Sequence, residues 1–266
     1  MAESTDQDAV ARVYDRYAVS EYERLDRSLL NRAEFALTAD LLDEYVVRPG
    51  AEVLDAAAGP GRYAEYLLDK GCRVGLSDLS AESLRLFEER VRSDAVLFCR
   101  TGSATDLGWL APESFDAVLL MGPLYHLVTH DERLAALREA RRVLRPGGIL
   151  VAAYISPYRN LVEAVEAGDL REVERLSGGG PTMHLGMQQY RGWPGAAQEA
   201  LSEAGFEVLR TRNLQGLAAR LSPETIEGQE PEEFFAMLRA TCELPDLLGA
   251  TLHFVCVARV AQNPAR

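Results

Sequence analysis

The sequence predicts a doubly wound α/β fold on a mainly parallel sheet, and three observations carry that reading. Short apolar runs at 51–56, 72–77, 95–100, 115–121 and 149–154 alternate with helix-compatible segments at the spacing of βαβ units. The run Val53-Leu54-Asp55-Ala56-Ala57-Ala58-Gly59-Pro60-Gly61-Arg62-Tyr63 passes from a strand through a small-residue turn into a helix. That is how α/β proteins offer backbone N–H groups to a ligand at the carboxyl edge of the sheet. Asp78 ends the next strand, about twenty residues after the turn, where such folds direct an acid at a ribose. A chain of 266 residues accommodates one such domain, with or without an inserted cap.

The elements follow in order. Val10, Val13, Tyr14 and Tyr17, then Leu29, Leu30, Ala33, Leu37, Leu41 and Leu42, recur at helical spacing, so 9–46 is expected to be helical. Rich in Tyr and Arg, the flank 1–48 reads as a helical lid that shuts water from a site, the alternative being an amphipathic helix laid on the surface. Pro49-Gly50 is a turn, and the core is expected over 49–156. Its first helix, 62–70, stops at Gly71. Ser80 caps a helix over 81–92. The strand at 95–100 leads into the loop Gly102-Ser103-Ala104-Thr105-Asp106-Leu107. A helix over 131–144 ends at Arg145-Pro146-Gly147-Gly148 before the strand at 149–154. The rhythm then breaks. Residues 157–192, with a Gly178-Gly179-Gly180-Pro181 hinge, are too long for a core connection and read as an inserted cap over the site. Residues 193–266 complete the sheet with a helix from Trp193-Pro194, a strand at 206–212, an acidic helical insertion at 223–246 and a final strand within 251–260. Seven strands result.

Composition narrows the partners. A net charge of −13 argues against a nucleic-acid backbone as partner, which demands a basic face. No stretch reaches the roughly 18 apolar residues that span a bilayer, and residues 1–8 are polar without a signal-peptide core. A cytoplasmic protein is expected, with no membrane partner, as a monomer or homodimer. Cys72, Cys99, Cys242 and Cys256 form no CxxC pair, and three of them fall in expected strands, so no metal site is anticipated.

The turn itself selects the ligand. A dinucleotide site wants G-x-G-x-x-G, and neither register of this turn supplies it. Asp55, at the strand end, repels a pyrophosphate and suits a cation, although an acid there also serves as a helix-dipole or N-cap partner. With Ala57 where a first Gly is common, Val53 to Gly61 resembles the first motif of class I S-adenosylmethionine (SAM)-dependent methyltransferases. The likeness extends through Asp78, Gly102-Ser103-Ala104, Phe115-Asp116-Ala117-Val118 and Leu144-Arg145-Pro146-Gly147-Gly148, roughly 50–155 in all. It implies a Rossmann-like sheet with a C-terminal antiparallel strand, and SAM as cofactor.

The resemblance also implies roles. Asp55, Ala57, Gly59 and Gly61 would receive the amino-acid tail, Asp78 the ribose hydroxyls, and Ser103 with Ala104 the adenine. Leu79 and Leu107 would sandwich the adenine ring. The segment Met121-Gly122-Pro123-Leu124-Tyr125-His126 resembles the G-P-L-Y-H-L wall beside the methyl group in small-molecule members. Tyr125 and His126 are therefore the expected catalytic residues, His126 as base or orienting group unless it only starts a helix bonded to backbone. His184 in the cap is a further catalytic candidate, whereas His130 is expected to cap a helix and His253 to pack. Tyr14, Tyr17, Tyr22 and Tyr154 offer aromatic faces to a sulfonium. Arg12, Arg16, Arg24, Arg27 and Arg159 suit a carboxylate or diphosphate, so an isoprenoid diphosphate is one conceivable acceptor among small molecules methylated at N, O or C. A nicotinamide-dependent oxidoreductase and a non-catalytic SAM-binding regulator are the alternatives.

Overall fold

A computed structural model describes residues 5–261; the first four residues of the expected lid and the last five of the chain lie outside that range. The N-terminal flank forms two helices rather than one, α1 (Gln7–Arg24) and α2 (Leu29–Tyr45). Asp6 and Ser28 accept from Ala9 and Asn31 as N-caps, so the chain restarts at Ser28 instead of continuing.

The core then alternates β1 (Glu52–Ala56), α3 (Arg62–Asp69), β2 (Arg73–Asp78), α4 (Ala81–Arg90), β3 (Val96–Thr101), β4 (Phe115–Leu120), α5 (His130–Val143) and β5 (Leu144–Ile155). Cys72 sits just before β2, not in it, and is buried. Arg145 to Gly148, expected to end the preceding helix, already belongs to β5. Leu144 pairs with Phe115, the register slips before Ala117, and Gly147 at φ +76 accommodates the irregularity.

The expected cap folds as α6 (Tyr158–Glu166), α7 (Leu170–Ser177) and the hairpin β6 (Gly180–His184) with β7 (Met187–Arg191). The Gly-Pro of the presumed hinge is thus the start of a strand. The chain closes with α8 (Pro194–Glu203), β8 (Phe206–Asn213), α9 (Pro223–Glu227), α10 (Pro231–Thr241) and β9 (His253–Val260).

The main sheet has seven strands in the order β3-β2-β1-β4-β5-β9-β8. β9 alone runs antiparallel, to β5 and to β8. Both faces are covered, so the strands are apolar on both sides. Val53 packs into the layer with α2 and α3, while Leu54 and Ala56 pack into the layer with α5 and α8. Strand parity therefore puts Asp55 on the Val53 face, under α1 to α3, at the carboxyl end of the sheet. The strand order reverses between β1 and β4, and the β1 turn and the segment after β4 open there.

Candidate active site

The turn after β1 is pinned to β2. The amides of Ala57 and Ala58 both donate to the Ser77 carbonyl, at 2.7 and 3.0 Å. Gly59 N–H donates to a carboxylate oxygen of Asp78 at 2.7 Å. Ala57 takes φ +79, a left-handed conformation that costs an L-residue about 1 kcal/mol relative to Gly. Gly59 and Gly61 are left-handed too. A Cβ on Gly61 would lie 2.3 Å from the Phe87 ring, which is fully buried. Gly61→Ala is accordingly expected to lower stability by about 2–4 kcal/mol, adding backbone strain to overpacking. Urea unfolding checks this: combining it with Phe87→Leu should recover part of the loss, and no recovery would refute the steric cause.

Two acids flank the turn. Asp55 is buried and neither of its oxygens has a hydrogen-bond partner. Burial, reinforced by the Asp78 carboxylate, pushes its pKa up to about 8. An unpaired buried carboxylate is costly unless a cation meets it. Asp78 is buried as well, and burial raises its pKa against the amides of Ser80 and Gly59 that bond it. Each of its oxygens accepts one backbone hydrogen, leaving further lone pairs for hydroxyls.

α1 contributes more than its Tyr-rich face suggested. The Arg24 guanidinium lines the cleft, held by Glu21 at 2.7 Å and by the buried Glu34 at 3.0 Å. Burial opposes both charges, but the pairing outweighs it: Arg24 stays cationic and Glu34 is held well below the usual carboxylate range. Glu34 also accepts from Gln215 at 2.8 Å and lies 3.2 Å from His253 Nδ1. His253 is thus tied into a polar network rather than simply packed.

After β4, Gly122 leads into a single 3-10 turn, Pro123–Tyr125. His126 follows and is 6% exposed. Its Nε2 lies 2.8 Å from the Tyr14 hydroxyl, the rings meeting edge to face at 5.3 Å, while Nδ1 is buried with no partner. Burial, with His184 nearby, pushes the imidazole down to about 4, so it is uncharged at neutral pH. Burial likewise raises the Tyr14 and Tyr125 phenols, which stay protonated.

One cleft of about 1020 Å³ gathers most of the expected site: Asp55, Ala57, Gly59, Asp78, Leu79, Ser103, Ala104, Met121, Tyr125 and His126 all line it. Gly61 stands behind the turn against Phe87. Leu107, expected over the adenine, is buried in the α5 layer and does not line the cleft. Tyr17 is 41% exposed and also outside it, because the helical register of α1 turns Val10, Tyr14, Glu21 and Arg24 inward instead. His184 is exposed beside the Leu185-Gly186 turn of the hairpin and does not line the cleft, although it adds to the lowering of the His126 pKa. His130 begins α5 behind a Thr129 cap and pairs with Glu203. Of the five arginines, Arg24 alone lines the cleft; Arg12, Arg27 and Arg159 are exposed and face Asp6, Glu23 and Glu163, and Arg16 is exposed. Arg62 and Tyr63, at the end of the Gly turn, also line it, as do Thr5 and Gln7, which nothing in the local sequence marks. Among the described residues no group of three or more His, Cys, Asp or Glu is placed to hold a metal, and no helix is long and apolar enough to cross a membrane.

A family model described as a methyltransferase domain matches residues 54–152. A demethylmenaquinone methyltransferase of Renibacterium salmoninarum is 32% identical over 189 residues, 68% of this chain and 77% of that protein. One of Paenarthrobacter aurescens is 33% identical over 184 residues, covering 66% and 70%. Among solved structures, 1,6-didemethyltoxoflavin-N1-methyltransferase of Burkholderia thailandensis, with S-adenosylhomocysteine bound, superposes with a TM-score of 0.58 at 20% identity over 98% of this chain and 93% of that one.

Proposed function

The chain belongs to the class I S-adenosylmethionine-dependent methyltransferases, and from that premise we propose that it methylates a small hydroxylated aromatic acceptor held against Tyr14, Tyr125 and His126. This family supersedes the nicotinamide-dependent alternative, to which the buried Asp55 was already unsuited. The residues present fit the cofactor: the unpartnered Asp55 oxygens suit the ammonium of the amino-acid tail, the spare lone pairs of Asp78 suit ribose hydroxyls, and Leu79 with Ala104 gives the adenine an apolar bed. When bound, SAM supplies an electrophilic methyl group on a sulfonium, displaced in line by the acceptor.

The observation that carries the acceptor reading is the uncharged His126 with Nδ1 unpartnered and Nε2 on Tyr14. With Nε2–H donating to the Tyr14 oxygen, Nδ1 would be the free acceptor for the proton of an acceptor hydroxyl, whose oxygen or conjugated ring carbon would then be the nucleophile. Tyr125, protonated and buried, orients the ring and closes the wall. The relatives named for demethylmenaquinone agree with a ring acceptor. An isoprenoid diphosphate is poorly served, because both arginines of the cleft are already paired, Arg24 with Glu21 and Glu34 and Arg62 with Asp26.

Methyl-labelled SAM incubated with a naphthoquinol, a catechol, an arylamine and an isoprenyl diphosphate tests this. Label is expected in the hydroxylated rings. Transfer confined to the amine or the diphosphate would overturn the reading.

A further inference from the structure

A second cleft, with about 570 Å³ of empty space, opens between α5, α8 and β7. The segment after β4 divides the two: Leu124 faces this cleft, while Pro123 and Tyr125 face the first. Its deep end carries two buried polar side chains, Tyr154 at 4% and Arg133 at 7% exposure. The Tyr154 ring stacks on Phe254, centroids 5.3 Å apart, and its hydroxyl has no hydrogen-bond partner. Arg133 donates through Nη1 to the carbonyls of Leu127 and Val128 at 2.8 and 3.0 Å, and its guanidinium carbon lies 3.5 Å from the Tyr190 ring centroid. These partners are neutral, and a guanidinium has further N–H donors to offer. Arg133 and Tyr154 both line this one cleft.

The mouth has the opposite character. Glu199 and Glu203 are exposed there; Glu203 bonds His130 at 3.0 Å and lies 3.9 Å from an Arg138 nitrogen, whereas Glu199 has no ion-pair partner among the described residues. Between mouth and floor the walls are apolar, with Leu137 and Ala197 among them. A cation and a free hydroxyl at depth, apolar walls and carboxylates outside are complementary to a molecule with a negative end, an apolar body and a positive end.

We propose that this cleft is a second ligand site for a carboxylic acid carrying an amine at the far end of an apolar body. The carboxylate accepts from Tyr154 and Arg133, the body lies against Leu124, Leu137 and Tyr190, and the amine meets Glu199. Tyr154 was a candidate for the sulfonium from sequence; its position gives it to this cleft instead.

Calorimetry on the whole chain without SAM tests the site with benzoate, benzylamine and para-(aminomethyl)benzoate. The last is expected to bind most tightly and benzylamine least. Tyr154→Phe removes only an unpartnered hydroxyl. It should weaken para-(aminomethyl)benzoate by about tenfold while SAM affinity and the thermal midpoint do not fall. Glu199→Gln should reduce the advantage over benzoate. Failure of all three probes at millimolar concentration, unchanged binding to Tyr154→Phe, or displacement of the probe by S-adenosylhomocysteine would each overturn the proposal.

Discussion

Asp55→Asn is expected to weaken SAM binding by at least about 100-fold, by removing the charge that meets the ammonium, and yet to stabilise the ligand-free chain at pH 8. The sign follows from the raised pKa. The carboxyl ordinarily titrates at 3.8 and here at about 8, so between those values the folded chain holds a proton that the unfolded chain has released. Folding therefore loses stability as pH rises from about 4 to 8, by up to about 1.4 kcal/mol per pH unit from this group alone. Asn has nothing to titrate, so the variant's advantage over wild type should grow across that window. Urea midpoints at pH 5 and 8, with calorimetric titration of SAM, measure both effects. SAM affinity within threefold of wild type, or the same pH slope in both proteins, would remove Asp55 from the role given to it.

His126→Ala is expected to lower kcat by about 10²-fold or more, the usual worth of a positioned proton acceptor, while SAM affinity moves by less than about threefold. Equal losses in both would make His126 structural. The pH profile gives an independent reading. Because the imidazole titrates near 4, it stays uncharged throughout the neutral range, and the rate should fall only as pH approaches 4. An acid limb centred near 6.5 that vanishes in the variant would contradict its buried, uncharged state. The stability linkage here runs opposite to that of Asp55. With a folded pKa below the ordinary 6.5, the contribution is complete above pH 6.5 and lost on acidification toward 4.

The β1 end of the cleft was legible as a group because its residues lie in contiguous sequence. Asp55 is the penultimate residue of β1, and Ala57, Gly59 and Gly61 occupy the turn that follows, where the reversal from strand to helix forces their positive φ. Met121 to His126 was legible for the same reason, since Gly-Pro after a strand fixes where the chain bends. Tyr17 failed as a reading because residue type does not reveal which face of α1 turns inward. Packing against α4 and the turn selected Tyr14, Glu21 and Arg24. His184 is at a hairpin tip that exists only once Gly180 and Pro181 pair with Arg191 and Tyr190.

Taken alone, the sequence determined the fold class, the strand that carries Asp55, the Gly turn and the cofactor type, all of which depend on local periodicity and on a few residues whose backbone options are narrow. Tertiary structure decided what required distant segments to meet. It made Asp55 an orphaned buried acid, set Tyr14 on His126 although the two are 112 positions apart, bound Arg24 to Glu34, and folded β7 over Tyr154 to form the second cleft. The physical reason is common to all four. A side chain's charge state and partners depend on its burial and on the neighbours brought to it, and those are properties of the packed chain.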